Sequence, residues 1–233
     1  MQNREYSVPV HLGFIVDGNR RWAKTHGLPA YEGHLAGHNT VKDVLRAAVN
    51  EGVKFVSFYV FSTENWKRSE DEVSRIMGLV LQFIKDDLKE MIDEEIRLRV
   101  LGRREGLSDK ILKAIDDAEE KTKHLKRATV AFCFNYGGQQ EIADAAQKCV
   151  EDGLKAEEIT PQAIRDRLYA ADIPDVDMIV RTSGERRISN FMLWRAAYSE
   201  FMFVDKHWPD MRPEDIKGII EEYNRRHRRF GGN

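Results

Sequence analysis

An apolar run, Phe14-Ile15-Val16, ends in the carboxylate of Asp17, and Gly18-Asn19 turns the chain into two arginines, Arg20 and Arg21, followed by Trp22-Ala23-Lys24. This order reads as a strand handing over to a helix, and in open α/β sheets ligands gather at such carboxyl ends of strands. The free N–H groups of the turn and the dipole of the helix favour an anion, and the arginines add fixed charge. Asp17 suits Mg²⁺, which binds hard oxygen ligands and commonly shares them with substrate phosphates. The local chemistry is that of a diphosphate–Mg²⁺ site. The same residues also fit an ordinary βα turn whose Asp caps the helix, and a short stretch by itself does not choose between the two.

Two further stretches carry chemistry of the same kind. Ser62-Thr63-Glu64-Asn65-Trp66-Lys67-Arg68 is a polar loop after the apolar run Val53 to Phe61, which places it on the same sheet edge as Asp17. Arg181 follows the run Val176 to Val180, and Arg187, Ile188 and Ser189 come within the same loop. Charge-assisted Arg–phosphate bonds are strong and directional, so this loop is a second anion site separate in sequence from the first. Loops whose hydroxyls satisfy their own turns, or whose arginines pair internally, would look the same.

The elements that must position these groups alternate strand and helix. Strands are expected over Val10–Val16, Val53–Phe61, Arg97–Leu101, Thr129–Phe134, Val176–Val180 and Phe201–Val204. Helices are expected between them, one through Val41, Val44, Leu45, Ala48 and Val49, and one carrying Trp194, Tyr198 and Glu200. Ser69 with Glu72 reads as a capping box. The periodic run from there to Ile92 predicts one helix of about 25 residues, roughly 37 Å long, able to wall an apolar groove. Thr160-Pro161 and Pro213 mark helix starts. Repeats, linkers and low-complexity segments are not found. The fold class is one α/β domain over residues 1–233 with a largely parallel central sheet flanked by helices.

Composition bounds the function. With 233 residues, 42% hydrophobic and 33% charged, the chain supports one large core. A net charge of −2 argues against nucleic-acid binding by bulk charge. Two cysteines, Cys133 and Cys149, imply neither a disulfide framework nor a zinc site. No window reaches the length of a transmembrane helix, and Met1–Val8 lacks the apolar core of a signal peptide, so a cytoplasmic setting is expected. A Walker glycine loop and a dinucleotide fingerprint are both missing.

The order Asp17-Gly18-Asn19-Arg20-Arg21-Trp22-Ala23 resembles the signature of the cis-prenyltransferases, the undecaprenyl diphosphate synthase family. The resemblance recurs at Phe61–Arg68, at Asn135-Tyr136-Gly137-Gly138, at Arg181-Thr182-Ser183-Gly184-Glu185 and at Arg187–Phe191. It continues through Trp194, Tyr198-Ser199-Glu200, Trp208-Pro209-Asp210 and the closing Arg228-Arg229-Phe230-Gly231-Gly232, covering nearly the whole chain. It implies a hydrophobic tunnel and a 1'-4 condensation of isopentenyl diphosphate onto an allylic diphosphate, farnesyl diphosphate being expected, to give a polyprenyl diphosphate such as undecaprenyl diphosphate. By resemblance the allylic diphosphate sits on Asp17, Gly18, Asn19, Arg20 and Arg21, with Trp22 and His34 close by. Isopentenyl diphosphate sits on Arg181, Arg187, Ile188 and Ser189. Ser62, Thr63, Glu64, Asn65, Trp66 and Arg68 complete the active site, Asn65 taking part in proton removal. Mg²⁺ is expected on Asp17 and Glu200, the latter from the neighbouring subunit of a homodimer. A lipid product implies transient, peripheral membrane contact. The family commonly carries an arginine where this chain has Ala30, so one phosphate contact is missing, with Arg20 the expected substitute. Val60 and Phe134 are bulkier than in long-chain members, which points to a product shorter than undecaprenyl. The alternative function is a non-catalytic, isoprenoid-binding partner subunit, a class that typically loses the Asp motif retained here.

Overall fold

Six strands, β1 (His11–Ile15), β2 (Phe55–Ser62), β3 (Ile96–Leu101), β4 (Ala128–Tyr136), β5 (Met178–Arg181) and β6 (Glu200–Phe203), form one sheet in the order β3-β4-β2-β1-β5-β6 in a computed structural model. The structure describes residues 7–226; the closing Arg228–Gly232 motif lies outside them, as does most of Met1–Val8. Every neighbouring pair is parallel. Parallel neighbours need crossover elements, and these cover both faces, which is why β1 and β4 are apolar runs buried at every position.

Alternate residues feed two cores. Leu12, Phe14, Val56, Phe58, Val130 and Phe132 point into the larger one, with α2 (Ala30–Asn50), α3 (Glu70–Asp86), α5 (Asp109–Thr122) and α8 (Pro213–Arg225) packed over it. Ile15, Tyr59, Cys133 and Ile179 point to the other face, under the segment from Tyr169 to Ala196. The helices α6 (Gly138–Glu151) and α7 (Pro161–Arg165) close a small cluster of their own around Cys149 and Ile164. Both cysteines are buried free thiols.

Register does the positioning. Ile15 pairs with Tyr59 on one side and Arg181 on the other, so the ends of β1, β2 and β5 come level. Asp17, the Ser62–Arg68 loop and the Arg181 loop therefore share one sheet edge, as the strand order of the sequence demanded. A short helix, α1 (Asn19–Thr25), leaves that edge directly after Asp17.

Three expectations are corrected. The long helix after Ser69 is two: α3 of 17 residues and α4 (Leu88–Asp93) of 6. The break falls at Asp87, a carboxylate only 6% exposed that draws in Lys42 Nζ at 2.7 Å and His38 Nε2 at 3.1 Å. A buried charge must be paired, and reaching α2 bends the chain at that residue. Ser69 does cap α3 through the Glu72 N–H, but the Glu72 side chain does not close the box, being taken by basic groups of the cleft. The stretch around Trp194 and Tyr198 forms turns rather than a helix, and Glu200 opens β6. Positive φ at Ser189, Asn190 and Met192 keeps the chain irregular up to the start of that stretch. The segment is held by Gly138 N–H donating to Asn190 O at 2.7 Å, an approach that a Cβ on Gly138, 2.9 Å from that oxygen, would block.

Candidate active site

The cleft is built on the end of β1. The Asp17 N–H donates to Thr182 Oγ1 at 3.0 Å, and Thr182 Oγ1 donates back to Asp17 O at 2.7 Å. Trp208 N–H also donates to Asp17 O, at 3.0 Å. Gly18 then turns with φ of 107°, and a Cβ there would lie 2.7 Å from Ser183 Oγ, so this position needs glycine. Fixed in this way, the Asp17 carboxylate accepts at Oδ2 from Arg181 Nη2 at 2.9 Å and pairs at Oδ1 with Arg21 Nη2 at 3.2 Å. Burial alone would raise the Asp17 pKa. The hydrogen bond and charge of Arg181, with Arg21 behind it, outweigh that and hold the carboxyl below its ordinary range.

Arg181 links the two anion loops that are far apart in sequence. Its Nη1 donates to Ser189 Oγ at 2.7 Å and to Arg187 O, while its Nη2 holds Asp17. The expected two separated sites are thus one continuous cleft meeting at the Arg181–Asp17 contact. Arg187 extends outward and its guanidinium pairs with Glu185, which also meets Arg21 at 3.4 Å. Ile188 packs into the apolar cluster under the loop, anchoring it.

The Ser62–Arg68 loop forms the facing wall. Asn65 sits in a 3₁₀ turn, Thr63–Lys67, and its Oδ1 accepts from Ser62 N–H at 3.0 Å. With the oxygen used locally, the amide N–H groups are what Asn65 can offer the cleft. Trp66, 40% exposed, is tied by Nε1 to Asn135 Oδ1 at 2.8 Å, and Asn135 is held in turn by the carbonyls of Arg103 and Glu105. Glu64 lines the cleft, Thr63 Oγ1 donating to its Oε2 at 3.3 Å, and Asn190 reaches it from the Arg181 side.

Glu72 gathers three basic groups: Arg68 Nη1 at 2.8 Å, His34 Nε2 at 3.5 Å and Arg20 Nη1 at 3.5 Å. Burial, then the charge of Arg68, lowers the His34 pKa. Buried polar atoms His34 Nε2 and Asn19 Oδ1 have no hydrogen-bond partner, and both residues line the cleft. Sequence reasoning missed Glu72 because its spacing from Ser69 matched a cap; Asn135 and Asn190 left no signal except their place in quoted motifs. Trp22 does not line the cleft: its Nε1 donates to Asp210 at 2.8 Å. Glu200 does not reach Asp17 within the chain. It pairs with Met178 at the opposite end of β5 from Arg181, and Arg226 binds its carboxylate at 3.0 Å.

Below the polar cleft, and sharing Val16, Asn19, His34, Val60 and Ile76 with it, lies an apolar cavity of about 760 Å³, part of it open to solvent. Val41, Leu79, Val80, Phe83, Phe132 and Phe134 line it. Charged groups at the mouth and an apolar bore beneath suit an amphiphile with an anionic head.

Comparison with known proteins follows the same line. Residues 15–231 match the prenyltransferase family model described as "Putative undecaprenyl diphosphate synthase". An isoprenyl transferase of Thermotoga maritima is 46% identical over 228 residues, 97% of each chain. A ditrans,polycis-undecaprenyl-diphosphate synthase, (2E,6E)-farnesyl-diphosphate specific, of Micrococcus luteus is 42% identical, covering 97% of this chain and 92% of that one. Among solved structures, lavandulyl diphosphate synthase of Lavandula x intermedia in complex with dimethylallyl diphosphate superposes with a TM-score of 0.92 at 32% identity, over 97% of this chain and 99% of that one.

Proposed function

The chain belongs to the undecaprenyl diphosphate synthase family of prenyltransferases, and with that as premise we propose how its residues divide the work. It is a cis-prenyltransferase, condensing isopentenyl diphosphate onto an allylic diphosphate. The observation that carries the residue roles is the Arg181–Asp17 contact at the mouth of an apolar cavity. The allylic diphosphate lies along Asp17–Arg21 and His34 with its tail in the cavity, and isopentenyl diphosphate lies on Arg181, Arg187 and Ser189. As the allylic C–O bond breaks, its electron pair leaves with the diphosphate, and the arginines stabilise the charge that develops. The isopentenyl alkene then attacks the allylic carbon, and a proton is lost to leave the cis double bond. The apolar bore keeps water from the carbocation-like centre. Asn65 is an amide and a poor base. Its N–H groups orient the diphosphate oxygen or water that takes the proton.

The donor set fits Mg²⁺. Among the described residues no trio of His, Cys, Asp or Glu is placed to cage a metal, whereas Asp17 is a carboxylate held ionised at the cleft. Mg²⁺ is bound through one or two carboxylates with substrate phosphates and water filling the rest. When bound it supplies positive charge to the leaving diphosphate. Glu200 would join only from the second copy of a homodimer, because within the chain it stands at the opposite end of β5 from Arg181. Among the described residues no helix is long and apolar enough to cross a membrane. The lipid product is what calls for transient, peripheral membrane contact.

Farnesyl diphosphate is the expected primer. Phe134 and Val60 both line the cavity, and bulk at these positions favours a product shorter than undecaprenyl diphosphate. The test is incubation of the purified protein with farnesyl diphosphate, labelled isopentenyl diphosphate and Mg²⁺, followed by mass analysis, with Asp17→Ala alongside. Elongation that needs Mg²⁺ and vanishes in the variant is the expected result. A product mainly of undecaprenyl length removes the chain-length proposal. Failure of every primer (farnesyl, geranyl, dimethylallyl) returns the partner-subunit reading, which the assembled Asp17, Asn65 and Arg181 otherwise leave without support.

A further inference from the structure

The Asn135-Tyr136-Gly137-Gly138 motif lies outside the substrate-binding residues, yet both walls of the cleft rest on it. From one wall, Trp66 Nε1 donates to Asn135 Oδ1 at 2.8 Å. From the other, Asn190 meets the start of α6 twice. Its O accepts from Gly138 N–H at 2.7 Å, and its Oδ1 accepts from Gln139 N–H at 2.8 Å. Between the walls stands Gly137. A Cβ there would lie 2.9 Å from Asn190 Nδ2 and 3.0 Å from Thr63 Oγ1, so the missing side chain is what lets the two walls close on one point. Asn190 spans that point, its Nδ2 donating to Glu64 Oε1 at 3.4 Å. Burial opposes the charge of Glu64, but hydrogen bonds from its own N–H, Ser62, Asn190 and Thr63 keep its carboxyl below the usual pKa, so it stands there as an acceptor. Asn190 holds φ at 66°, a left-handed conformation that asparagine tolerates better than most residues.

We propose that Asn190 is the positioning residue that sets the gap between the two walls, bracing Ser189 and the Arg181 loop against Glu64 and Asn65. Ser189 is its neighbour in sequence and accepts from Arg181 Nη1 at 2.7 Å. A shift of Asn190 therefore moves the groups that hold isopentenyl diphosphate relative to Asn65. Asn190 acts through these neighbours rather than on the reacting atoms. The condensation brings an alkene to an allylic carbon, and such a step loses rate steeply when the reactants are displaced by about 1 Å. The inference rests on isopentenyl diphosphate lying on Arg181, Arg187 and Ser189, as the proposed function has it.

Two variants test it. Asn190→Gly suits the left-handed backbone and removes both side-chain ties. Asn190→Asp keeps the acceptor for Gln139 N–H but sets a carboxylate against Glu64. An acidic acceptor at a helix N-terminus is favourable, so Asn190→Asp should melt near the wild type, and it decides alone if Asn190→Gly does not fold. Steady-state kinetics gives kcat and the KM for isopentenyl diphosphate, and calorimetry with farnesyl diphosphate alone gives the primer Kd. In both variants that KM rises about tenfold, the worth of one hydrogen bond to a charged group, and kcat falls, while the primer Kd stays within about twofold. Glu64→Gln and the double variant Asn190→Asp with Glu64→Gln complete a cycle. The double variant recovers part of what Asn190→Asp loses, because an amide can again donate across the gap. Wild-type KM and kcat in the folded variants, losses that simply multiply in the cycle, or a primer Kd that weakens as much as the KM would each overturn the brace and leave the enzyme's function standing. A wild-type protein that binds farnesyl diphosphate but never elongates it overturns both.

Discussion

Arg181 Nη2 lies 2.9 Å from Asp17 Oδ2 across 164 residues of sequence, and that contact joins the end of β1 to the end of β5. Arg181 is 4% exposed, so its guanidinium is held away from solvent, and its Nη1 is occupied by Ser189 and Arg187 O. Arg181 holds the carboxylate ionised and presents a fixed positive wall to a diphosphate at the same time.

Arg181→Gln should lower kcat by about 10²–10³-fold, the usual cost of losing one preorganised charge-stabilising group. It should also move the acid limb of the kcat/KM profile to higher pH. Arg181 is the main group depressing the Asp17 pKa against the opposing effect of burial, so its loss lets that pKa rise. An acid limb that stays in place while activity falls would separate Arg181 from the ionisation of Asp17.

Asn65→Asp and Asn65→Ala should both lose most turnover, for different reasons. The aspartate keeps an acceptor for Ser62 N–H and hence the 3₁₀ turn, but offers no N–H to a diphosphate. The alanine loses both. Full turnover of Asn65→Ala with saturating substrates would end the assigned role, and a more active aspartate would mark the residue as a base.

Arg195→Leu should destabilise the fold by about 3–5 kcal/mol, the cost of breaking a buried pair and stranding one charge. Arg195 Nη1 and Glu141 Oε1 are 2.7 Å apart with both side chains at most 1% exposed. Arg195 also donates to the carbonyls of Tyr169, Ala170 and Ile173. Urea titration measures the loss, and the double variant Glu141→Gln with Arg195→Leu should recover part of it.

Stability should fall on mild acidification. His11 is fully buried between Ser57 Oγ at 2.7 Å and Pro174 O at 2.9 Å, and burial lowers its pKa to about 4. The unfolded chain binds that proton near pH 6.5, the folded one only near 4. The neutral histidine thus contributes its stability above pH 6.5, and this is lost as pH falls toward 4, about 3 kcal/mol in all. Denaturant midpoints between pH 7.5 and 4.5 give the slope. An equal slope in His11→Asn would assign it to other groups.

Much of this was legible in the residues. The strands leading into Asp17, Ser62 and Arg181 announce themselves as apolar runs ending in polar motifs, because a two-sided parallel sheet leaves no solvent face to interrupt them. What periodicity could not show is where long-range pairing overrides local preference. Asp87 sits in a run that is helical on both sides, and only its partners on α2 reveal why the helix stops. Glu72 has the spacing of a cap, and its true partners come from α1, α2 and the Arg68 loop. The helix expected through Trp194 and Tyr198 does not form, because nothing local announces a stretch held by buried Arg195 and by Gly138. The resemblance puts Glu200 on a neighbour's metal, and the parallel register sets it at the other end of the sheet from the Asp17 of its own chain.

Helix α2 carries His34, which lines both the polar cleft and the apolar cavity, and His38, which lines the cavity alone, four residues apart. On one rigid α-helix that separation is about 6 Å along the axis. The step from charged mouth to apolar bore is therefore written into a single rod. A displacement of α2 carries both sides of that step together, so the boundary stays sharp when the helix moves.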